Sequence, residues 1–386
     1  MFQFTSLPPL SLYIHFPWCV RKCPYCDFNS HELKNDLPEK QYVDALLADL
    51  DQELPAIWGR PIVSIFMGGG TPSLFSPEAM DRLLSGLRAR LNFKSDIEIT
   101  MEANPGTAEY EKFNEFRHVG INRLSIGIQS FNDEHLQKLG RIHDRKEAIR
   151  AAEIAHDAGF ENFNLDLMFA LPNQRIEQAL NDIKTAIALE PTHLSHYQLT
   201  IEPNTLFHTQ PPVVPDDDVS WEMQQRCQQQ MAKHDYAQYE ISAYAKQAQQ
   251  CQHNKNYWQF GDYLGIGAGA HGKITSPQQQ GINRKWKVKQ PKQYLETAAT
   301  ESCIQGQNKL SRQDAAFEFM MNALRLSEGF ESQLFSQNTG LAISIIEKPL
   351  RIAEEKGWLE WNTQTIKPTK NGQRFLNDLV ELFLPE

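Results

Sequence analysis

With 386 residues, 41% of them apolar, the chain can bury one large core and a smaller second one, and nothing in its composition reads as disorder. A formal net charge of -10 and a pI near 5.7, with no runs of lysine or arginine, argue against a phosphate-binding groove and so against nucleic acid as a partner. The amino-terminal stretch has no basic region ahead of an apolar segment, and no apolar run would span a bilayer, so a cytoplasmic location is expected. Cysteines there stay reduced, and clustered ones read as metal ligands or reactive groups.

Short β-branched or apolar runs alternate with amphipathic stretches through the first two hundred residues. Strands are predicted at 12–15, 62–67, 97–102, 123–129, 162–169 and 194–201. Between them, apolar residues recur at helical spacing over 39–54. Ser76, Pro77 and Glu78 form a specific helix start as N-cap, first helical position and first-turn acid. Six strand-helix units imply an α/β fold with parallel pairing and right-handed crossovers. Periodicity leaves a doubly wound sheet and a barrel or partial barrel both open, but either places function at the carboxyl ends of the strands.

The pattern changes after Glu202. A proline-rich connection leads to a helix over 219–234 and a glycine-rich "YLGIGAGAHGKI". From Ser311 come two helical stretches, the second over 342–356, a hairpin-like "WLEWNTQTIKP" and a helix over 369–382. This order suggests a winged-helix-like module without a basic recognition face. The expected division is 1–202, 203–310 and 311–386.

The chemistry concentrates in "HFPWCVRKCPYCDF", where Cys19, Cys23 and Cys26 stand at CxxxCxxC spacing. Structural zinc uses four closed ligands, commonly two separated pairs, and no second pair exists in the chain. An iron-sulfur cluster with one unligated iron fits three thiolates better, because that iron can take an exchangeable small molecule. Cys227, Cys251 and Cys303 stand alone and read as buried apolar residues. Asp166 sits inside an apolar strand, costly unless paired or used. Glu102, Gln129 and Arg141 fall at or after predicted strand ends, and "MGGGTP" follows the second strand with glycines that admit close backbone approach.

With Tyr25 just before the last cysteine, this segment resembles the radical S-adenosylmethionine (SAM) superfamily. The resemblance implies a partial (β/α)6 barrel and a 4Fe-4S cluster held by Cys19, Cys23 and Cys26, with SAM on the fourth iron. Within the superfamily the chain is similar, over nearly its whole length, to the coproporphyrinogen dehydrogenase branch. That likeness implies that Tyr13, Tyr25, Gly69, Gly70, Thr71, Glu102, Gln129, Arg141 and Asp166 contact cluster or SAM. The oxidising enzymes of the branch carry a further cysteine where this chain has Phe28, and CxxxCxxCxF resembles instead the haem-chaperone paralogues, the HemW family. "HNKNYW", His253 to Trp258, matches the HNxxYW motif of that family and implies haem binding at His253. On composition alone His253 reads as a hydrogen-bonded loop histidine, and Cys251 is not part of a CxxCH attachment motif.

The implied function is delivery of haem to acceptor haemoproteins such as respiratory b-type cytochromes. A haem-storage donor, transient membrane-protein contact and a homodimer are compatible with that role. Oxidative decarboxylation of coproporphyrinogen III is the alternative, and a winged-helix regulator a distant third. One departure from the family is Ala170 in "FALP", where glycine is usual.

Overall fold

The computed structural model describes residues 2–106 and 112–385. The six expected strands form β1 (Leu10–Phe16), β2 (Pro61–Gly69), β3 (Asn92–Ala103), β4 (Arg123–Gln129), β5 (Phe163–Phe169) and β6 (His193–Gln198). They pair in parallel and in sequence order, with helices in the crossovers, so the partial-barrel expectation stands. The sixth strand stops at Gln198, short of the expected Ile201, and its last ladder bond runs from the Leu199 N–H to the Phe169 carbonyl at 2.9 Å.

Alternation along β1 shows how the layers arise. Leu12, Ile14 and Phe16 pack outward, Phe16 meeting Phe75 at 4.8 Å and Tyr42 at 6.0 Å between ring centroids. Ser11, Tyr13 and His15 occupy the other face, where Ser11 hydrogen-bonds Ser64 of β2 at 2.8 Å. The helix Pro77–Arg88 starts as expected, its N-terminus capped by the Ser76 hydroxyl accepting from Ala79 N–H.

The sheet continues beyond the six strands on both sides. After β6 the chain adds β7 (Ala237–Glu240) and β8 (Ala243–Ala245), antiparallel at one edge. The glycine-rich stretch, for which the sequence pattern predicts no strand, forms β9 (Asp262–Ile266), which lies parallel to β1 on its outer side. From it run β10 (His271–Ser276), β11 (Gly281–Lys287) and β12 (Ile304–Lys309), all antiparallel. Gly265 permits this crossing, since a Cβ there would lie 2.0 Å from the His271 carbonyl oxygen.

The carboxyl-terminal module has its own core around Phe319, Phe335, Leu350 and Ile366. Its helices Arg312–Ala323, Ser332–Thr339 and Glu347–Glu355 pack with a three-stranded antiparallel sheet, a winged-helix-like arrangement. The last expected helix is two short ones, Lys370–Arg374 and Leu376–Glu381, broken where Phe375 leaves helical backbone geometry.

An ion cluster fastens the antiparallel extension to the helix Glu39–Ile57. Lys287, 2% exposed at its side chain, sits 2.6 Å from Asp49 and 2.8 Å from Glu53. Burial pushes the Asp49 carboxyl up, against the pull of Lys287 and hydrogen bonds from Lys287, Tyr294 and Gly267. Removing one partner of such a cluster leaves uncompensated buried charge. Lys287→Met is expected to cost about 3–5 kcal/mol, read as a lowered urea midpoint; an unchanged midpoint would show that the cluster contributes nothing net.

Candidate functional site

At the carboxyl ends of the barrel strands opens a cavity of about 640 Å³. Its wall brings together Cys19, Cys23, Tyr25, Cys26, Gly69, Gly70, Thr71, Glu102, Gln129, Arg141 and Asp166, residues scattered over 148 positions (19 to 166) of sequence. Tyr13 and His253 stand outside that wall, deeper in the barrel.

The cysteine loop is braced from both ends. Trp18–Cys19 pairs with His31–Glu32, and the Lys22 ammonium donates to the Phe28 and Ser30 carbonyls at 3.2 Å each. Asn29 donates to the carbonyls of Ala268 and Lys289, tying the loop to the extension. This contact explains the glycine-rich run: a Cβ on Gly269 would lie 2.4 Å from the Asn29 amide, and one on Gly267 2.4 Å from the His15 carbonyl. Each thiol meets a polar group. Cys19 bonds with Thr71, Cys26 approaches the Ser30 hydroxyl at 3.5 Å, and Arg141 Nη1 lies 3.7 Å from Cys23 Sγ. Burial raises the Cys19 thiol to about 11, which leaves it protonated until a metal displaces the proton. Among the described residues, no three His, Cys, Asp or Glu side chains are grouped as a single metal ion would require. Three part-buried thiols round one cavity, with donors beside them, fit a larger cluster.

Arg141 is held as well as holding. Its Nη2 donates to Asn104 Oδ1 at 2.6 Å and to the Gly127 carbonyl at 2.7 Å, and Asn104 in turn donates to the Thr71 hydroxyl at 2.9 Å. Asn104 thus joins three strand ends, a role that "MEANPG" gave no signal for, since asparagine before proline reads as an ordinary turn. The Gly69 and Gly70 N–H groups are already committed, to Glu102 Oε2 at 3.0 Å and the Phe16 carbonyl at 2.6 Å. Gly69 adopts φ +108°, and a Cβ there would strike the His15 ring at 2.3 Å.

Two carboxyls share this lumen. Burial raises Glu102 to about 8, with a further push from Asp166, while the Gly69 N–H opposes the shift. Burial also raises Asp166, against hydrogen bonds from Ser125, Asn164 and Ser195 and the more distant Arg123. Neither has an ion pair with a described cation, so the lumen is ready for a ligand carrying hydroxyl or cationic donors. Gln129 closes β4 with φ +68°, a left-handed conformation unusual for a side-chain-bearing residue, and its side chain reaches the cavity.

The barrel floor is closed by the helix Gln252–Trp258, which contains the histidine motif. Glu98 of β3 accepts from Gln252 N–H at 3.0 Å, His253 N–H at 3.2 Å and the Cys251 thiol at 3.4 Å. His253 is 8% exposed, its Nδ1 lies 3.1 Å from the Ser64 hydroxyl, and its ring packs tilted against Phe66 and Tyr13. Burial, helped by Arg123, pushes it down to about 3 and keeps it neutral. Trp258 at the far end faces the Arg325 guanidinium at 4.7 Å, linking the floor to the carboxyl-terminal module.

Because Glu102 rises from 4.5 to about 8 on folding, the folded state holds a proton that the unfolded state loses between those values. Its contribution is present below pH 4.5 and is lost as pH climbs to 8. Glu102→Gln is therefore expected to flatten the fall in stability between pH 5 and pH 8 in urea titrations of the ligand-free protein. An identical slope in the variant would rule out Glu102 as its source.

Known proteins bear on this geometry. The Radical SAM superfamily matches residues 13–186, and the HemN C-terminal domain matches residues 310–375. A protein of Escherichia coli (strain K12) named heme chaperone HemW is 52% identical over 382 residues, covering 99% of this chain and 100% of its own. The Haemophilus influenzae protein of the same name is 50% identical over 385 residues, covering 99% of both chains. Among solved structures, coproporphyrinogen III oxidase (HemN) from Escherichia coli superposes with a TM-score of 0.82 at 24% identity, covering 98% of this chain and 90% of that one, which shows a shared fold. From end-to-end similarity at this level, the chain belongs to the HemW family of radical SAM proteins.

Proposed function

We propose that this protein binds haem and transfers it to acceptor haemoproteins, carrying a 4Fe-4S cluster and SAM in its barrel. The observation that carries the reading is the match to proteins named heme chaperone along the whole chain, joined to Phe28, an exposed phenyl ring where the oxidising relatives keep a further cysteine. The finer parts of the reading are b-type cytochromes of respiratory enzymes as acceptors, a cytoplasmic location, a homodimer and transient contact with a membrane protein. The division at residues 202 and 310 belongs to it too, as barrel core, extension and carboxyl-terminal module.

Cys19, Cys23 and Cys26 would hold the cluster, with SAM on the remaining iron. When bound, these groups supply one-electron chemistry. Arg141 and Asn104 fix the loop around them, and Tyr25 packs against Phe207 at 6.4 Å to cover it from the strap after β6. Glu102 and Asp166 offer acceptors to ligand hydroxyl or amino groups, and Gly69, Gly70, Thr71, Gln129 and Tyr13 complete the proposed contacts. His253 is the proposed axial ligand to haem iron. Its imidazole is neutral, as ligation requires, but enclosed between Ser64, Phe66 and Tyr13. Ligation by His253 therefore calls for the floor helix to swing out, breaking its bonds to Glu98.

A paired anaerobic experiment on reconstituted protein tests the function. Titration with haem is expected to give a Soret band, while coproporphyrinogen III with SAM and a reductant is expected to remain undecarboxylated. Rapid formation of protoporphyrinogen would overturn the chaperone reading in favour of the oxidative decarboxylase. In the same titration His253→Ala is expected to weaken haem binding and shift the Soret band; an unchanged spectrum and affinity would remove His253 from the site. Cys23→Ser is expected to abolish the cluster absorbance, and a retained cluster would displace that residue from the ligand set.

A further inference from the structure

Three large apolar side chains stand unusually exposed on the rim of the cavity. Val20, Phe28 and Ile142 line its mouth with 50%, 59% and 60% of their surface accessible. Scattered exposed apolar residues need no explanation, but several on one rim mark a binding surface. Two cations, Arg21 and Lys22, are exposed on that loop between the apolar residues and also line the mouth.

We propose that the rim formed by Val20, Phe28 and Ile142 receives the porphyrin face of haem, with Arg21 and Lys22 meeting its propionates. This deepens the chaperone reading and rests on it. A flat apolar macrocycle bearing two carboxylates matches a mouth that carries exposed apolar side chains with two cations on the same loop. Asp27 and Glu147, on the same mouth, repel carboxylates and so favour the edge where the cations stand. The closed floor supports a rim site independently: His253 is sealed from the cavity, so haem arriving at the described structure meets the rim first. Phe28 then has a positive role. It supplies an apolar contact at the position where a thiol would bring a further metal ligand.

Rim docking makes no use of iron, whereas ligation by His253 depends on it. The test titrates reconstituted full-length protein with haem and, separately, with metal-free protoporphyrin IX, following fluorescence. The wild type is expected to bind both. The double variant Phe28→Ser/Ile142→Ser is expected to weaken both by about tenfold or more, with cluster absorbance retained as the check on folding, and Arg21→Glu to weaken both most at low salt. His253→Ala should leave the metal-free affinity unchanged. Rim variants that bind both porphyrins like the wild type would overturn the rim site while leaving haem binding intact. Wild type that binds haem but not the metal-free porphyrin would also overturn it, and wild type that binds neither would overturn the chaperone reading itself.

Discussion

The carboxylate of Glu98 accepts three donors from the turn that opens the helix Gln252–Trp258, and the closed end of the barrel depends on that contact. A partial barrel of parallel strands has two open ends, and water entering from the wrong one would hydrate every polar side chain lining the lumen. The first N–H groups of a helix have no partner within it, so a buried helix start must find one elsewhere. Glu98 supplies it from a strand, which locks the helix across the floor. The same helix reaches β1 and β2 through His253 and Asn256, and the carboxyl-terminal module through Trp258.

A sealed floor gives the lumen its electrostatics. Above it runs an unbroken polar chain: Asp166 to Asn164, Asn164 to His193, His193 to Tyr239, each link between 2.7 and 2.9 Å. Burial holds His193 and His253 neutral and raises both Glu102 and Asp166, shifts that hydration would erase. The lumen below the mouth therefore presents two carboxyls, while the closed end keeps its histidines out of reach. A ligand gains from entering at the mouth, because its donors meet carboxyls that form no ion pair with a described cation.

How much of this was legible in the sequence followed from how local each signal is. The six strands and the Ser76 helix start announce themselves through alternation and capping within a few residues, and the structure has all of them. Cysteine spacing is equally local, and placement at or after strand ends carried Glu102, Gln129 and Arg141 to one cavity because parallel strands align their ends, where Asp166, marked by its charge inside an apolar strand, joins them. Long-range contacts left no trace. Nothing around Asn29, Asn104 or Glu98 distinguishes them from turn or surface residues, since their partners lie 239, 33 and 37 or even 154 positions away. The glycines of "GIGAGAHG" were visible, but their reason was not: they make room for the cysteine loop and for His271. His253 shows the opposite case, where the motif was legible and its burial was not.

Two of the nine described side-chain-bearing residues with positive φ stand at the ends of adjacent strands. Gln129 after β4 has φ +68° and Ala170 after β5 has φ +55°, each in the left-handed region where a Cβ costs about 1–2 kcal/mol. Glycine at the second position would remove that cost, so the alanine here persists because its surroundings hold it. Its N–H lies 3.4 Å from Met223 Sδ, and the methyl is buried against the helix that carries that residue. At Gln129 the same geometry does more than turn the chain. It ends β4 abruptly, lets the side chain face the cavity and releases the backbone into the segment that returns Arg141 beside Cys23. Strain at Gln129 is thus tied to the lumen, which residues from five of the six barrel strands line, and is offset by the packing below it.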